Sequence, residues 1–267
     1  MQKNLILILL ILLLASCVQP KKQKLLILCT NDSHSQIEIE KKSGQGGFAA
    51  RADLIDSLRA IYPLNLLLDA GDMVQGTPYF NLYHGRIEIA GYNRLGYDAA
   101  TLGNHEFDMG LDTLAMLLKL ADFSIVCCNY DVKNTPLETL VKPYEIFERG
   151  GMKIAVIGFG VSPKSLILQS NFEPIKYLDP IKMGNFYADS LKNAGIDFVI
   201  ALSHLGCKGY INDSILATQS RNIDLILGGH THEIRGALEL QNIDDRPVKI
   251  VKTASKGLEM DKVTVEF

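Results

Sequence analysis

Five of the six histidines, His34, His105, His204, His230 and His232, fall in short polar clusters beside Asp, Asn or Gly, and His84 stands apart. A lone histidine after an apolar run is usually an ordinary polar residue, but five in one kind of setting point to ligands. Imidazole with carboxylate suits divalent ions such as Zn, Mn, Fe or Co. Asp32, His34, Asp72, Asn104, His204, His230 and His232 form a set too large for one tetrahedral ion, and two ions sharing a carboxylate accommodate it. Asp32 and His34 are two residues apart, as are His230 and His232, so an extended backbone turns both members of each pair to one side. Asn104 would bind through its carbonyl oxygen without adding charge. Such a centre keeps positive charge for a phosphate, which makes a small phosphate ester the expected substrate.

The elements that must carry these residues are legible as short apolar runs that end in the clusters. Leu25-Leu26-Ile27-Leu28 leads to Asp32 and His34, Leu66-Leu67-Leu68 to Asp72, Phe198-Val199-Ile200-Ala201-Leu202 to His204, and Ile223 to Leu227 to His230 and His232. These read as buried strands delivering ligands from one edge. Three-to-four spacing of apolar residues predicts helices over Phe48–Ala60, Thr113–Leu120 and Asn185–Asn193. Gly44-Gln45-Gly46-Gly47 reads as a turn opening the first of them. The alternation implies a layered α/β fold, in which sites form beyond the carboxyl ends of strands.

Five ordered motifs carry a resemblance. They are Thr30-Asn31-Asp32-Ser33-His34, Gly71-Asp72-Met73-Val74-Gln75-Gly76, Gly103-Asn104-His105-Glu106-Phe107-Asp108, Ser203-His204-Leu205-Gly206 and Gly228-Gly229-His230-Thr231-His232. From about Leu25 to Phe267 the chain resembles the calcineurin-like metallophosphoesterases, in particular their 5'-nucleotidase branch. The resemblance implies a four-layer α/β/β/α sandwich of two mixed sheets flanked by helices. It also implies that one ion takes Asp32, His34, Asp72 and His232, and the other Asp72, Asn104, His204 and His230, with Asp72 as the bridge. His105 and Asp108 would form a catalytic dyad, although Asp108 could instead cap a helix starting near Leu111. The implied reaction is hydrolysis of phosphate monoesters, 5'-nucleotides foremost, by a hydroxide formed from water held between the ions. A broader ester choice, such as 2',3'-cyclic nucleotides or sugar phosphates, is the second reading, and a non-catalytic lipid-anchored binding subunit the third, which the intact ligand set disfavours. Cys29 stands where this family very often has histidine, and it reads as a buried thiol, as does Cys207. Family 5'-nucleotidases usually continue into a second domain that stacks the base, so base recognition is expected from a separate substrate-binding protein, from local loops, or not at all.

Composition sets the outer bounds. In 267 residues the formal charge is −3 and 47% are hydrophobic. This is ample material for a core and no basic surface for duplex nucleic acid. Leu5 to Ala15 is an unbroken apolar run of about 16 Å as a helix, short of the roughly 30 Å hydrocarbon core, so it reads as a signal peptide. Leu14-Ala15-Ser16-Cys17 resembles the lipobox of bacterial lipoproteins, which makes Cys17 the lipidation site. The expected organisation is a signal peptide over 1–16, a lipidated tether over 17–24 and one catalytic domain over 25–267. That places the domain on the bacterial cell envelope, at its periplasmic face. The remaining thiols, including the adjacent pair Cys127 and Cys128, form no disulfide framework and are expected to pack in the core.

Overall fold

The computed structural model describes residues 22–233 and 236–267. Cys17 and the apolar leader lie outside them. The first half of the chain runs β1 (Lys24–Thr30), α1 (Phe48–Ile61), β2 (Asn65–Asp69), α2 (Pro78–Tyr83), α3 (Arg86–Leu95), β3 (Ala99–Thr101), α4 (Gly110–Leu118), β4 (Ser124–Val126), β5 (Tyr130–Asp131) and β6 (Val141–Lys142). The second half runs β7 (Tyr144–Arg149), β8 (Met152–Phe159), α5 (Gln169–Phe172), β9 (Lys176–Tyr177), α6 (Pro180–Asn193), β10 (Phe198–Ser203), α7 (Asp213–Gln219), β11 (Leu225–Gly228), β12 (Gly236–Gln241), β13 (Pro247–Lys252) and β14 (Asp261–Glu266).

Two mixed sheets result. One has the order β14-β1-β2-β3-β4-β6, the other β12-β13-β11-β10-β8-β7. Their central strands are parallel, whereas β14, β12 and β7 run antiparallel at the edges. Side chains alternate across a strand, and both faces here are apolar, as parallel strands covered on two sides require. Leu25, Ile27 and Cys29 of β1 face Ile154, Ile200 and Leu225 of the other sheet in the core between the sheets. Leu26 and Leu28 turn outward to Ile55, Ile89, Tyr92 and Leu114 on α1, α3 and α4. The other sheet's outer face packs Ile157 and Val199 against Ala188, Leu191 and Leu216 on α6 and α7. The layers are therefore helix, sheet, sheet, helix.

Local chemistry explains where helices begin. Gly44, Gly46 and Gly47 all have positive φ, and Gly47 opens α1, so the glycine turn does what its composition suggests. Apolar spacing alone starts the sixth helix too late: it begins at Pro180, because the Asp179 carboxylate accepts from the backbone N–H groups of Ile181 and Lys182 at 2.9 and 3.1 Å, a proline-led capped start. The fourth helix likewise begins at Gly110 and ends at Leu118, preceded by a 3-10 turn over His105–Phe107. Met109, not Asp108, is its N-cap residue. Cys29, Cys127, Cys128 and Cys207 are all buried.

Candidate metal centre

The carboxyl ends of five parallel strands meet along one rim. β1, β2 and β3 are consecutive in their sheet, as are β10 and β11 in theirs. The loop after β1 presents Asp32 and His34, that after β2 Asp72, that after β3 Asn104 and His105, that after β10 His204, and that after β11 His230 and His232. Asp32, His34, Asp72, His230 and His232 all have positive φ, between 46° and 71°. The Asp32/His34 and His230/His232 pairs are thus presented by left-handed turns and not by the extended backbone that their spacing suggests; residues with a Cβ rarely adopt this conformation, and held strain of this kind gathers at functional sites.

The loops brace one another through bonds that leave the ligand atoms free. Asp72 Oδ1 accepts from His105 N at 2.9 Å and Asp32 Oδ1 from His230 N at 3.0 Å. His204 Nδ1 donates to the Ala70 carbonyl at 2.6 Å and His34 Nδ1 to that of Gln75 at 3.2 Å, which turns the lone pair of each Nε2 toward the rim. The close approach needs glycine: a Cβ on Gly103 would sit 2.2 Å from Asp72 Oδ1.

Two triads of donor atoms converge, each within 4.8 Å: Asp32, His34 and His232, and Asp72, His204 and His230. A third, His34, Asp72 and His105, links them. Asp72 Oδ2 lies 3.1 Å from His204 Nε2 and 4.0 Å from His34 Nε2, between the two sets. The donors fit divalent ions on their own chemistry. His34 Nε2 and His232 Nε2 lie 2.8 Å apart, and Asp32 Oδ2 and Asn104 Oδ1 are buried with no hydrogen-bond partner among the described residues, orphaned acceptors that are costly without a cation. The electrostatics show negative charge that a cation would answer. Burial disfavours a charged His204, yet the Asp72 and Asp32 carboxylates raise its pKa to about 10, so in the absence of a cation a proton answers them. Burial would push Asp72 up, but His204 and His105 hold it well below the usual carboxylate range. His230 is pushed down to about 4 by burial and by the charge of His204, so one of these two imidazoles stands neutral while the other holds a proton that a bound cation would displace.

His105 and Asp108 are also brought together, Nδ1 to Oδ2 at 2.9 Å. Burial lowers the His105 pKa, but Asp72 and Asp108 outweigh it and the net shift is upward. His84 ends α2 in a left-handed conformation and joins none of these groups. Two buried carboxylates under the rim, Asp69 and Glu106, escape a sequence reading. Asp69 accepts from Gly71 N, Thr30 and Tyr92. It looks like an ordinary strand terminus, and only its burial, which lifts its pKa to about 6, distinguishes it.

Residues 25–233 match the family described as calcineurin-like phosphoesterase. A snake venom 5'-nucleotidase from Gloydius brevicauda is 37% identical over 222 residues, which are 78% of this chain and 37% of that protein. The NAD 5'-nucleotidase of Haemophilus influenzae is 36% identical over 84% of this chain and 38% of its own length. The solved structure of the Haemophilus influenzae NAD nucleotidase superimposes with a TM-score of 0.85 at 31% identity, covering 93% of this chain and 48% of that one. The chain thus spans about two fifths of the curated relatives it matches. Two mixed sheets between helices, with metal-fitting donors at their shared rim, and a match across most of the described residues place this chain in the calcineurin-like phosphoesterase family.

Proposed function

We propose that this rim hydrolyses phosphate monoesters at two divalent ions, with 5'-nucleotides as the substrate class. The observation that carries it is the pairing of two donor triads across Asp72, with buried donor atoms left for a cation to satisfy. Asp32, His34, Asp72 and His232 would hold one ion and Asp72, Asn104, His204 and His230 the other. Ions held there would supply Lewis acidity for activating water and positive charge for the phosphoryl oxygens. The chain's own part is to hold those donors rigidly and to move a proton: His105, oriented by Asp108, donates from its free ring nitrogen to the leaving oxygen. The nucleotide assignment is supported by relatives named as 5'-nucleotidases. Recognition of the base is left to groups outside this centre, in local loops or in a separate substrate-binding protein, because the donors here are committed to ions or to backbone.

A substrate panel tests this. AMP and other nucleoside monophosphates should show higher kcat/KM than aryl phosphates or 2',3'-cyclic nucleotides, and chelation should abolish turnover until Mn, Zn, Fe or Co is restored. If nucleotides are cleaved no faster than aryl phosphates, the nucleotide assignment falls while ester hydrolysis stands. We further propose that a lipid on Cys17 tethers the domain to the periplasmic face of the cell envelope, as the Leu14-Ala15-Ser16-Cys17 sequence supports. Among the described residues no helix is long and apolar enough to cross a membrane. Cys17→Ser should move the protein from the membrane fraction to the soluble one, and unchanged membrane recovery would refute the anchor.

A further inference from the structure

We infer that Glu106 is the positioning residue that fixes Asp72 relative to Asn104, and so lets the two ion sites exist together. Its side chain is almost fully buried, 4% of the residue being exposed, in the 3-10 turn over His105–Phe107. Phe107 anchors that turn against Tyr130 and Phe172, so the carboxylate leaves from a pinned backbone. It accepts three backbone N–H groups from two loops. Oε1 takes Met73 N at 2.8 Å, and Oε2 takes Asp72 N at 3.1 Å and Gly103 N at 2.7 Å. One side chain thus ties the loop that carries Asp72 to the loop that carries Asn104.

The need for such a tie is visible in the backbone. Asp72 sits at φ 56°, a conformation that an L residue keeps only when its surroundings over-determine it. The two loops touch, since Gly103 has no room for a Cβ beside Asp72. Without the tie, the bond from His105 N to Asp72 Oδ1 is what remains of the hydrogen bonding between these two loops among the described residues, too little to fix the spacing of the donors assigned to the second ion. A carboxylate suits the task because both of its oxygens accept. Glutamine offers one accepting oxygen and an NH2 group, so in either amide orientation at least one loop N–H would face another donor.

This inference rests on the two-ion reading, and the experiment separates their failures. Wild type, Glu106→Gln and Glu106→Asp are each titrated with Mn²⁺, following free Mn²⁺ and the exchange-coupled signal of a Mn²⁺ pair by electron paramagnetic resonance, alongside melting of the metal-free proteins. Wild type should bind two Mn²⁺ and show the coupled signal. Glu106→Gln should melt cooperatively yet bind the second Mn²⁺ roughly 10- to 100-fold more weakly, the usual loss when a group supporting ligands is removed, and lose the coupled signal. Glu106→Asp keeps both oxygens but falls a methylene short, so it should lie between the two, and it reads the effect should the glutamine variant not fold. A merely structural role would lower the melting temperature and leave the stoichiometry and coupling of the folded protein alone, which would overturn the assignment. A wild type that binds fewer than two Mn²⁺ would bring down the two-ion reading and this inference together.

Discussion

Asp72→Asn should leave a folded protein that retains at most one of its two ions and loses at least ~10³-fold in phosphomonoesterase kcat, since a lost ion removes several kcal/mol of charge stabilisation. Asparagine is the informative replacement. It has the same shape, tolerates the left-handed backbone that Asp72 occupies at φ 56°, and can still accept from His105 N through its amide oxygen, as Asp72 Oδ1 does now. What it removes is the charge. The Asp72 carboxylate faces both donor sets through Oδ2, 3.1 Å from His204 Nε2 and 4.0 Å from His34 Nε2, and Asp32 does so less closely, with Oδ1 3.4 Å from His232 Nε2 and 4.0 Å from His204 Nε2. Asp72 is also foremost among the charges that lift the pKa of His204 against the effect of burial. An amide there leaves the two triads without their shared ligand. The measurements are metal content after reconstitution and steady-state rates on one substrate. Two ions retained, with activity within about tenfold of wild type, would mean that Asp72 does not bridge.

Why these candidate ligands can be named from sequence is a matter of locality. Asp32 and His34 are separated by one residue, as are His230 and His232, and each pair follows an apolar run that reads as a buried strand, so the chemistry and its edge of the sheet are written within a few residues, whereas the left-handed turns that present the pairs are not. The supports of those ligands are written elsewhere. Glu106 lies inside a ligand motif but serves Met73, more than thirty positions away, and its neighbour relations exist only once β2 and β3 are paired. Asp69 is hidden for the same reason: its partners Thr30 and Tyr92 come from β1 and α3. Pairing of β14 with β1 joins the two ends of the domain, and no local pattern announces a contact of that range. Cys29 makes the converse point. Its place in the core between the sheets explains a thiol ahead of the ligand loop, with burial driving its pKa up, so that it packs as a small apolar side chain rather than reaching the ions.

His105→Ala should keep both ions and lose roughly 10²- to 10⁴-fold in kcat on nucleotides, the usual worth of a positioned acid. The loss should be much smaller on an aryl phosphate whose leaving group departs without a proton, and that contrast identifies the step. The pH dependence follows from Asp108. Burial alone would lower the His105 pKa, but Asp72 and the Asp108 carboxylate, 2.9 Å from Nδ1, raise it above the ordinary histidine value. The active form is the protonated ring, so activity is present below that pKa and is lost as pH rises through it. Asp108→Asn removes one of the charges holding the proton in place while leaving an oxygen for Nδ1–H. The fall in kcat should therefore move to lower pH, with the rate on its acid side far less changed than in His105→Ala. Because Met109 rather than Asp108 caps α4, the substitution should cost the helix little, and melting temperatures within a few degrees of wild type would confirm that the effect is chemical. An unmoved alkaline limb in Asp108→Asn, or an equal loss on both leaving groups in His105→Ala, would remove the proton-transfer role and leave His105 as a charge near the phosphate.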